Sequence, residues 1–254
     1  MTVSAADIAA RLARARTDRT AIAQISDDVP ELDLALGYQV QRLAREAAGP
    51  LVGWKLGVTS RAKQLQVGVD SPIRGFLAAE HALDLGEALI VGEHINPRAE
   101  PEIVFVMGCD LAGPHVGASD VLAATAAVAA GIEIIDSRYQ DYRFTMPDVV
   151  ADNSSAGRFV LGTPVPVAGI DLRLVGVVLE HRGEVVATAS GAASLGSPAT
   201  AVAWLVRSLA AEGVGLSAGQ IVLSGGLTAA VPVTAGDAVV VTIDRLGSVE
   251  LACR

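Results

Sequence analysis

From Leu51 onward the chain consists of short apolar runs cut by glycine or proline, as in LVGWKLGVTS (51–60), ALIVGEHINP (88–97) and PEIVFVMG (101–108). Runs this short and this often interrupted are the pattern of strands joined by turns. The tail after Gln220 continues in the same way, with turns expected at Gly225-Gly226, Ala235-Gly236-Asp237 and Leu246-Gly247. Upstream the period changes. Residues 4–17 and 32–47 carry apolar side chains at helical spacing, with Ser4 placed as an N-cap and Gly49-Pro50 stopping the second helix. Two later segments also read as helices: ASDVLAATAAVAAGI (118–132), capped by Ser119 or Asp120 and ending near Gly131, and SPATAVAWLVRSLAAEG (197–213). The expected fold is α+β: a mixed or antiparallel β core at 51–254, one continuous unit, carrying a small N-terminal helical cap at 1–50.

A length of 254 residues suffices for one large domain with a substantial core. The net charge of −9, with no basic run, argues against nucleic acid as a partner. Cys109 and Cys253 lack a CxxC spacing and fit a reducing compartment, and the four histidines show no metal-ligand spacing. The N-terminus has no continuous apolar core of the signal-peptide kind. The longest uncharged stretch, Val185 to Val206, is interrupted by Gly191, Gly196 and Pro198 and does not read as a membrane span. These features predict a cytoplasmic protein that binds neither membrane nor nucleic acid.

The stretch RAEPEIVFVMG (98–108) sets two glutamates two residues apart at the mouth of an apolar run. In a strand the two-residue period aims Glu100 and Glu102 at one face, where their repulsion calls for a cation between them. Glu133, in GIEIIDSRY, is expected to open the next strand after an intervening helix and to return to the same end of the sheet. Three converging carboxylates suit a hard, oxygen-preferring ion such as Mg²⁺ or Mn²⁺; the alternative is a set of solvated strand-end charges. Lys55 is a lone cation in an apolar segment, either reaching the surface or held in a pocket for acid–base work or anion binding. Asp152-Asn153-Ser154-Ser155 makes either a turn or a ring of short donors for a carboxylate, and the amides of Gly225 and Gly226 with the Thr228 hydroxyl make either an anion nest or a tight hairpin. Pro101, which lacks an N–H, implies a sheet edge or a strand start.

Taken together, VGWKLGVTS, GVDSPIRGFL, AEPEIVFVMG, IEIIDSRYQDYRF, VVADNSSAGRFVLG, GAASLGSPATAVAWL and LSGGLTAAVPVTAGD…LGSVE resemble, in order and spacing, the hydratase/decarboxylase branch of the fumarylacetoacetate hydrolase superfamily along nearly the whole chain. The branch holds 2-hydroxypenta-2,4-dienoate hydratases and 4-oxalocrotonate decarboxylases of aromatic-compound catabolism. The resemblance implies that Glu100, Glu102 and Glu133 bind one Mg²⁺ or Mn²⁺ and that Lys55 is catalytic or anchors the substrate. It also implies that a 2-oxo acid chelates the ion, which acts on the carbonyl as a Lewis acid. Asn153, Ser155 and Thr228 become candidate substrate contacts. Hydratases commonly read GVDQPDFG where this chain reads GVDSPIRG, which places Ile73 at their aspartate; TPIYGF, DSRY and GG.TAAVPV are decarboxylase-like. Arg74 stands where decarboxylases often carry tyrosine, and its guanidinium is a candidate grip for a second carboxylate. The expected reaction is decarboxylation of 2-oxo-3-hexenedioate to 2-hydroxypenta-2,4-dienoate. The hydratase reaction is the alternative, and a further one is hydrolysis or isomerisation of another 2-oxo or dicarbonyl compound. The motifs lack the histidine of the superfamily's usual His–Glu hydrolase pair. A homo-oligomer is expected, and so is association with a paired hydratase or decarboxylase. A purely scaffolding role is argued against by the retention of all three glutamates and Lys55.

Overall fold

The computed structural model describes residues 3–60, 64 and 71–254. Positions 68–70 of the GVDSPIRG motif lie outside the described residues, whereas Ile73 and Arg74 lie within them. Helix α1, Ala5–Thr17, starts at the expected cap: Ser4 accepts from the Asp7 N–H while the Asp7 carboxylate accepts from Ser4. Helix α2, Leu34–Ala47, is capped by Asp33 and ends just before Gly49-Pro50. Ile8 and Leu12 of α1 and Val40 of α2 form one apolar cluster with Ile25, Val29, Leu32, Tyr139 and Ala151. The Asp148 carboxylate joins the connecting segment to the rest of the chain by accepting from the Ile25 and Ser26 N–H groups, each at 3.0 Å. The N-terminal helices are therefore bonded and packed onto the β-rich part.

The main sheet is mixed. Strands β1 (Leu51–Gly57), β2 (Ile73–Ala78), β3 (Ala82–Leu83), β4 (Arg98–Met107), β5 (Thr125–Ile135), β6 (Ala156–Leu161) and β9 (Ile221–Leu223) run in the order β2-β1-β9-β4-β5-β6-β3, with the short β10 (Val231–Pro232) beside β4. The β1–β9 and β3–β6 pairs are parallel and the others antiparallel. A second, antiparallel sheet, β7 (Gly176–His181), β8 (Glu184–Ser190), β11 (Ala238–Ile243) and β12 (Gly247–Ala252), packs β11 and β12 against β5. Helix α4, Met146–Ala151, precedes β6, and helix α5, Pro198–Ala210, buries Val202, Leu205, Val206 and Leu209 in the same core.

Two expectations fail here. The segment 118–132 is not one helix: α3 covers Ala118–Ala124, and the chain then enters β5, so Glu133 is the ninth residue of an eleven-residue strand. Alanine favours helix by only tenths of a kcal/mol per residue. That preference is outweighed by ladders to both β4 and β6 and by complete burial of Ala129, Ala130 and Ile132 in the middle of the sheet. Pro101, likewise, is neither at an edge nor at a strand start. It is the fourth residue of β4, between β5 and the gap that separates β9 from β10. Its carbonyl accepts from the Leu227 N–H across that gap, so the missing imide hydrogen faces a loop and leaves the β5 ladder intact.

Candidate metal centre

Glu100 and Glu102 lie on one face of β4, as the strand period requires, and β5 sets Glu133 directly opposite Glu100. The three are 7%, 0% and 1% exposed, and each offers an oxygen within 4.8 Å of the others. Like charges facing each other across a strand pair destabilise it, and each buried carboxylate carries a desolvation cost of several kcal/mol. Part of the compensation comes from Lys55, 2% exposed, whose Nζ lies 2.6 Å from Glu133 Oε1 and donates to the Ser154 carbonyl at 2.8 Å. β1 and β5 are three strand spacings apart, about 14 Å on a flat sheet. An ion pair between them requires the sheet to curl around the site.

Glu102 Oε2 accepts from the Gly225 N–H at 2.7 Å, so the anion held by Gly225 is a carboxylate of the chain itself. Glu102 Oε1 and Glu133 Oε2 have no hydrogen-bond partner among the described residues. Burial, followed by the neighbouring Glu133 and Glu100 charges, pushes the Glu102 carboxyl well above the usual range. Burial also raises Glu133, with Lys55 pulling the other way. Three buried carboxylates held together, two of their oxygens without donors among the described residues, and an all-oxygen donor set fit a hard divalent cation such as Mg²⁺ or Mn²⁺.

Gly226 sits against this cluster: a Cβ there would overlap the Glu100 carboxylate. Gly226→Ala is expected to displace Glu100 and weaken Mn²⁺ binding by roughly 10- to 100-fold, as measured by calorimetric titration. An unchanged affinity would show that Glu100 is not a ligand.

The Lys55 acceptor belongs to an unusual turn. Asn153, Ser154 and Ser155 have φ values of 51°, 53° and 55°, three consecutive left-handed residues, none of them glycine. Each such residue costs roughly 1–2 kcal/mol. The turn is braced on both flanks. Asn153 Nδ2 donates to the Phe76 carbonyl at 3.0 Å and its Oδ1 accepts from the Phe76 N–H at 2.8 Å. The Ser155 N–H donates to the Asp152 carbonyl at 3.0 Å and the Asp136 N–H to the Ser155 carbonyl at 2.8 Å. The Asp152 carboxylate pairs with the Arg138 guanidinium, a buried ion pair supplied by the DSRY motif.

The expected site residues thus separate. Glu100, Glu102, Glu133 and Lys55 are brought together. Ile73, 3% exposed, lies on the Lys55 face, since Gly57 pairs with Ile73 and Lys55 with Gly75. Ser155 also lies next to the Lys55 acceptor, and its buried Oγ has no partner among the described residues. Asn153 does not offer its amide to a ligand; both ends are engaged by Phe76. The Thr228 hydroxyl donates to the Ala229 carbonyl at 2.9 Å. Arg74 points the other way: as the neighbour of Gly75 it lies on the opposite face of β2, bound to Glu212 and Ser208 and stacked over Tyr38. It is a tie between α2, β2 and α5 and does not reach the carboxylates. Sequence reasoning missed the Ser154 carbonyl, because a main-chain acceptor leaves no residue-type signal.

A curled mixed sheet bearing three buried glutamates and a lysine defines the class: residues 53–252 match the fumarylacetoacetate hydrolase C-terminal family, and the chain belongs to it. It is 42% identical over 247 residues to 4-oxalocrotonate decarboxylase of Pseudomonas sp. strain CF600, covering 95% of this chain and 94% of that one. It is 40% identical over 251 residues to 2-keto-4-pentenoate hydratase of Burkholderia vietnamiensis, covering 97% and 96%. The structure of 4-oxalocrotonate decarboxylase from Pseudomonas putida G7, complexed with magnesium and adipate, superposes with a TM-score of 0.93 at 40% identity, over 97% of this chain and 96% of that one. Among the described residues, no helix is long and apolar enough to cross a membrane.

Proposed function

We propose that the chain is a divalent-cation-dependent lyase that decarboxylates a 2-oxo-enedioate of the 4-oxalocrotonate type to 2-hydroxypenta-2,4-dienoate. The observation that carries this reading is the buried Glu100–Glu102–Glu133 cluster with Lys55, on a fold that superposes on a decarboxylase solved with magnesium and a six-carbon diacid. Glu100, Glu102 and Glu133 would hold the ion, which when bound supplies Lewis-acid polarisation of the 2-oxo group. Lys55, fixed between Glu133 and the Ser154 carbonyl, places a positive charge in a site closed to solvent, where it stabilises negative charge growing on the substrate oxygen. As the C5–C6 bond breaks, its electron pair moves into the C4–C5 bond. The C3–C4 pair shifts to C2–C3 and the carbonyl pair goes onto the C2 oxygen, leaving CO₂ and the dienolate. Ile73, buried on the Lys55 face and with no proton to give, favours loss of a neutral molecule over addition of water. Ser155 Oγ is the remaining candidate donor to substrate.

Hydration of 2-hydroxypenta-2,4-dienoate is the second reading, favoured by the 40% identity to a hydratase over nearly the whole chain. Metal-stripped protein, assayed on 2-oxo-3-hexenedioate before and after Mg²⁺ or Mn²⁺ is added, separates the two. Metal-dependent CO₂ release is the expected result. An inert diacid together with loss of the dienol's ultraviolet absorbance would replace decarboxylase by hydratase. The same reading sets the enzyme in the cytoplasm in aromatic-compound catabolism, as a homo-oligomer that associates with a paired hydratase. Two free cysteines and the exposed Leu174, Val185 and Val186 support that setting.

A further inference from the structure

Among the described residues β2 is an edge strand of the main sheet, and no strand pairs with its outward N–H and C=O at Phe76. The Asn153 side chain takes the place of that strand: its amide donates to one of these groups and accepts from the other, as a peptide would. The clamp fixes where the left-handed turn begins, and two bonds farther along the turn ends on Asp136. Between those anchors the Ser154 carbonyl accepts from the Lys55 ammonium at 2.8 Å. Gly75, the β2 partner of Lys55, permits the approach; a Cβ there would stand 2.7 Å from the Asn153 carbonyl oxygen and 2.9 Å from its Oδ1.

We infer that Asn153 is a positioning residue for Lys55, acting through the Phe76 clamp and the Ser154 carbonyl and touching neither ion nor substrate. The inference builds on the role given to Lys55 in the proposed function. It differs from the substrate contact expected at Asn153, since both ends of the amide are used inside the protein.

The chain offers a direct readout, because Lys55 and Lys63 are its two lysines. On a Lys63→Arg background, protein labelled with ε-¹³C lysine shows Lys55 alone, with no need for turnover. Asn153→Gly keeps the freedom to adopt positive φ and deletes the clamp. In the Mg²⁺-loaded protein it is expected to move the Lys55 signal toward that of free lysine. It should also lower kcat on the order of 10- to 100-fold, while KM and Mn²⁺ affinity stay within about twofold. A Lys55 signal that stays in place, with any loss confined to thermal stability, would overturn the inference and leave Asn153 a fold staple. A displaced signal with unchanged kcat would uphold the clamp and remove Lys55 from the catalytic role assigned above, so the two failures are distinguishable. If the glycine variant does not fold, Asn153→Asp, which keeps the acceptor for the Phe76 N–H and sets a carboxylate oxygen against the Phe76 carbonyl in place of the donor, carries the same measurements with the same expected directions.

Discussion

Glu102→Gln is expected to abolish Mn²⁺ binding at millimolar metal and to reduce turnover by more than about 10³-fold, while the metal-free protein is as stable as the parent or more so. Glu102 is fully buried, and burial with Glu133 and Glu100 raises its carboxyl well above the ordinary range, so replacing the charged group by glutamine removes a desolvation and repulsion cost from the metal-free protein. The sign of the pH dependence follows. A carboxyl with its folded pKa above the unfolded value of about 4.5 binds a proton on folding, so its contribution is full below that pH and is lost as pH rises. Denaturant titrations of metal-free parent protein should therefore show stability falling as pH rises above about 4.5, with a shallower slope in Glu102→Gln. Added metal should restore the parent by about 2.7 kcal/mol at 100 times Kd and leave the variant unmoved. A variant that still gains stability from Mn²⁺ would show that the three glutamates are not the metal site.

Lys55→Met should separate the two jobs of the cluster. Methionine matches the length of the lysine stem and removes the charge, so kcat is expected to fall on the order of 10²- to 10³-fold, the loss seen when one preorganised stabiliser of developing negative charge is deleted. Metal binding should move the opposite way. Lys55 Nζ lies 2.6 Å from Glu133 Oε1 and competes with a divalent ion for that carboxylate. Its removal is expected to tighten Mn²⁺ binding by up to about tenfold, equivalent to roughly 1.4 kcal/mol. Steady-state kinetics alongside calorimetric titration reads both. Lower turnover accompanied by weaker metal binding would make Lys55 a structural brace of the carboxylates.

The parts of this site that were legible beforehand are those governed by local period. The alternation of side chains along one strand put Glu100 and Glu102 on a common face, and Ser4, read as an N-cap, marked the start of the first helix. Glu133 was expected to join them, but by the wrong route, through a helix that is only seven residues long. The alanine-rich run 125–132 satisfies helix propensity, and nothing local records that β4 and β6 flank it on either side. The local reading set this convergence beside the alternative of solvated strand-end charges, and the family resemblance favoured the convergence.

Arg74 shows the same limit in reverse. Its charge beside a conspicuous motif invited a substrate-binding role, yet the register of β1 against β2 sets Gly75 opposite Lys55 and sends Arg74 to the other face. A shift of one residue would have exchanged them. The sequence by itself determined the strand-and-turn character of residues 51–254, the helical N-terminus and the chemistry of the donor set, because each depends on residue type and on spacing within one element. Only the tertiary structure decided that Glu133 faces Glu100, that the sheet curls far enough to bring Lys55 to Glu133, and that the Ser154 carbonyl and the Asn153 clamp hold the ammonium there. Those are contacts between segments tens of residues apart, set by strand register and sheet curvature, which no local periodicity encodes.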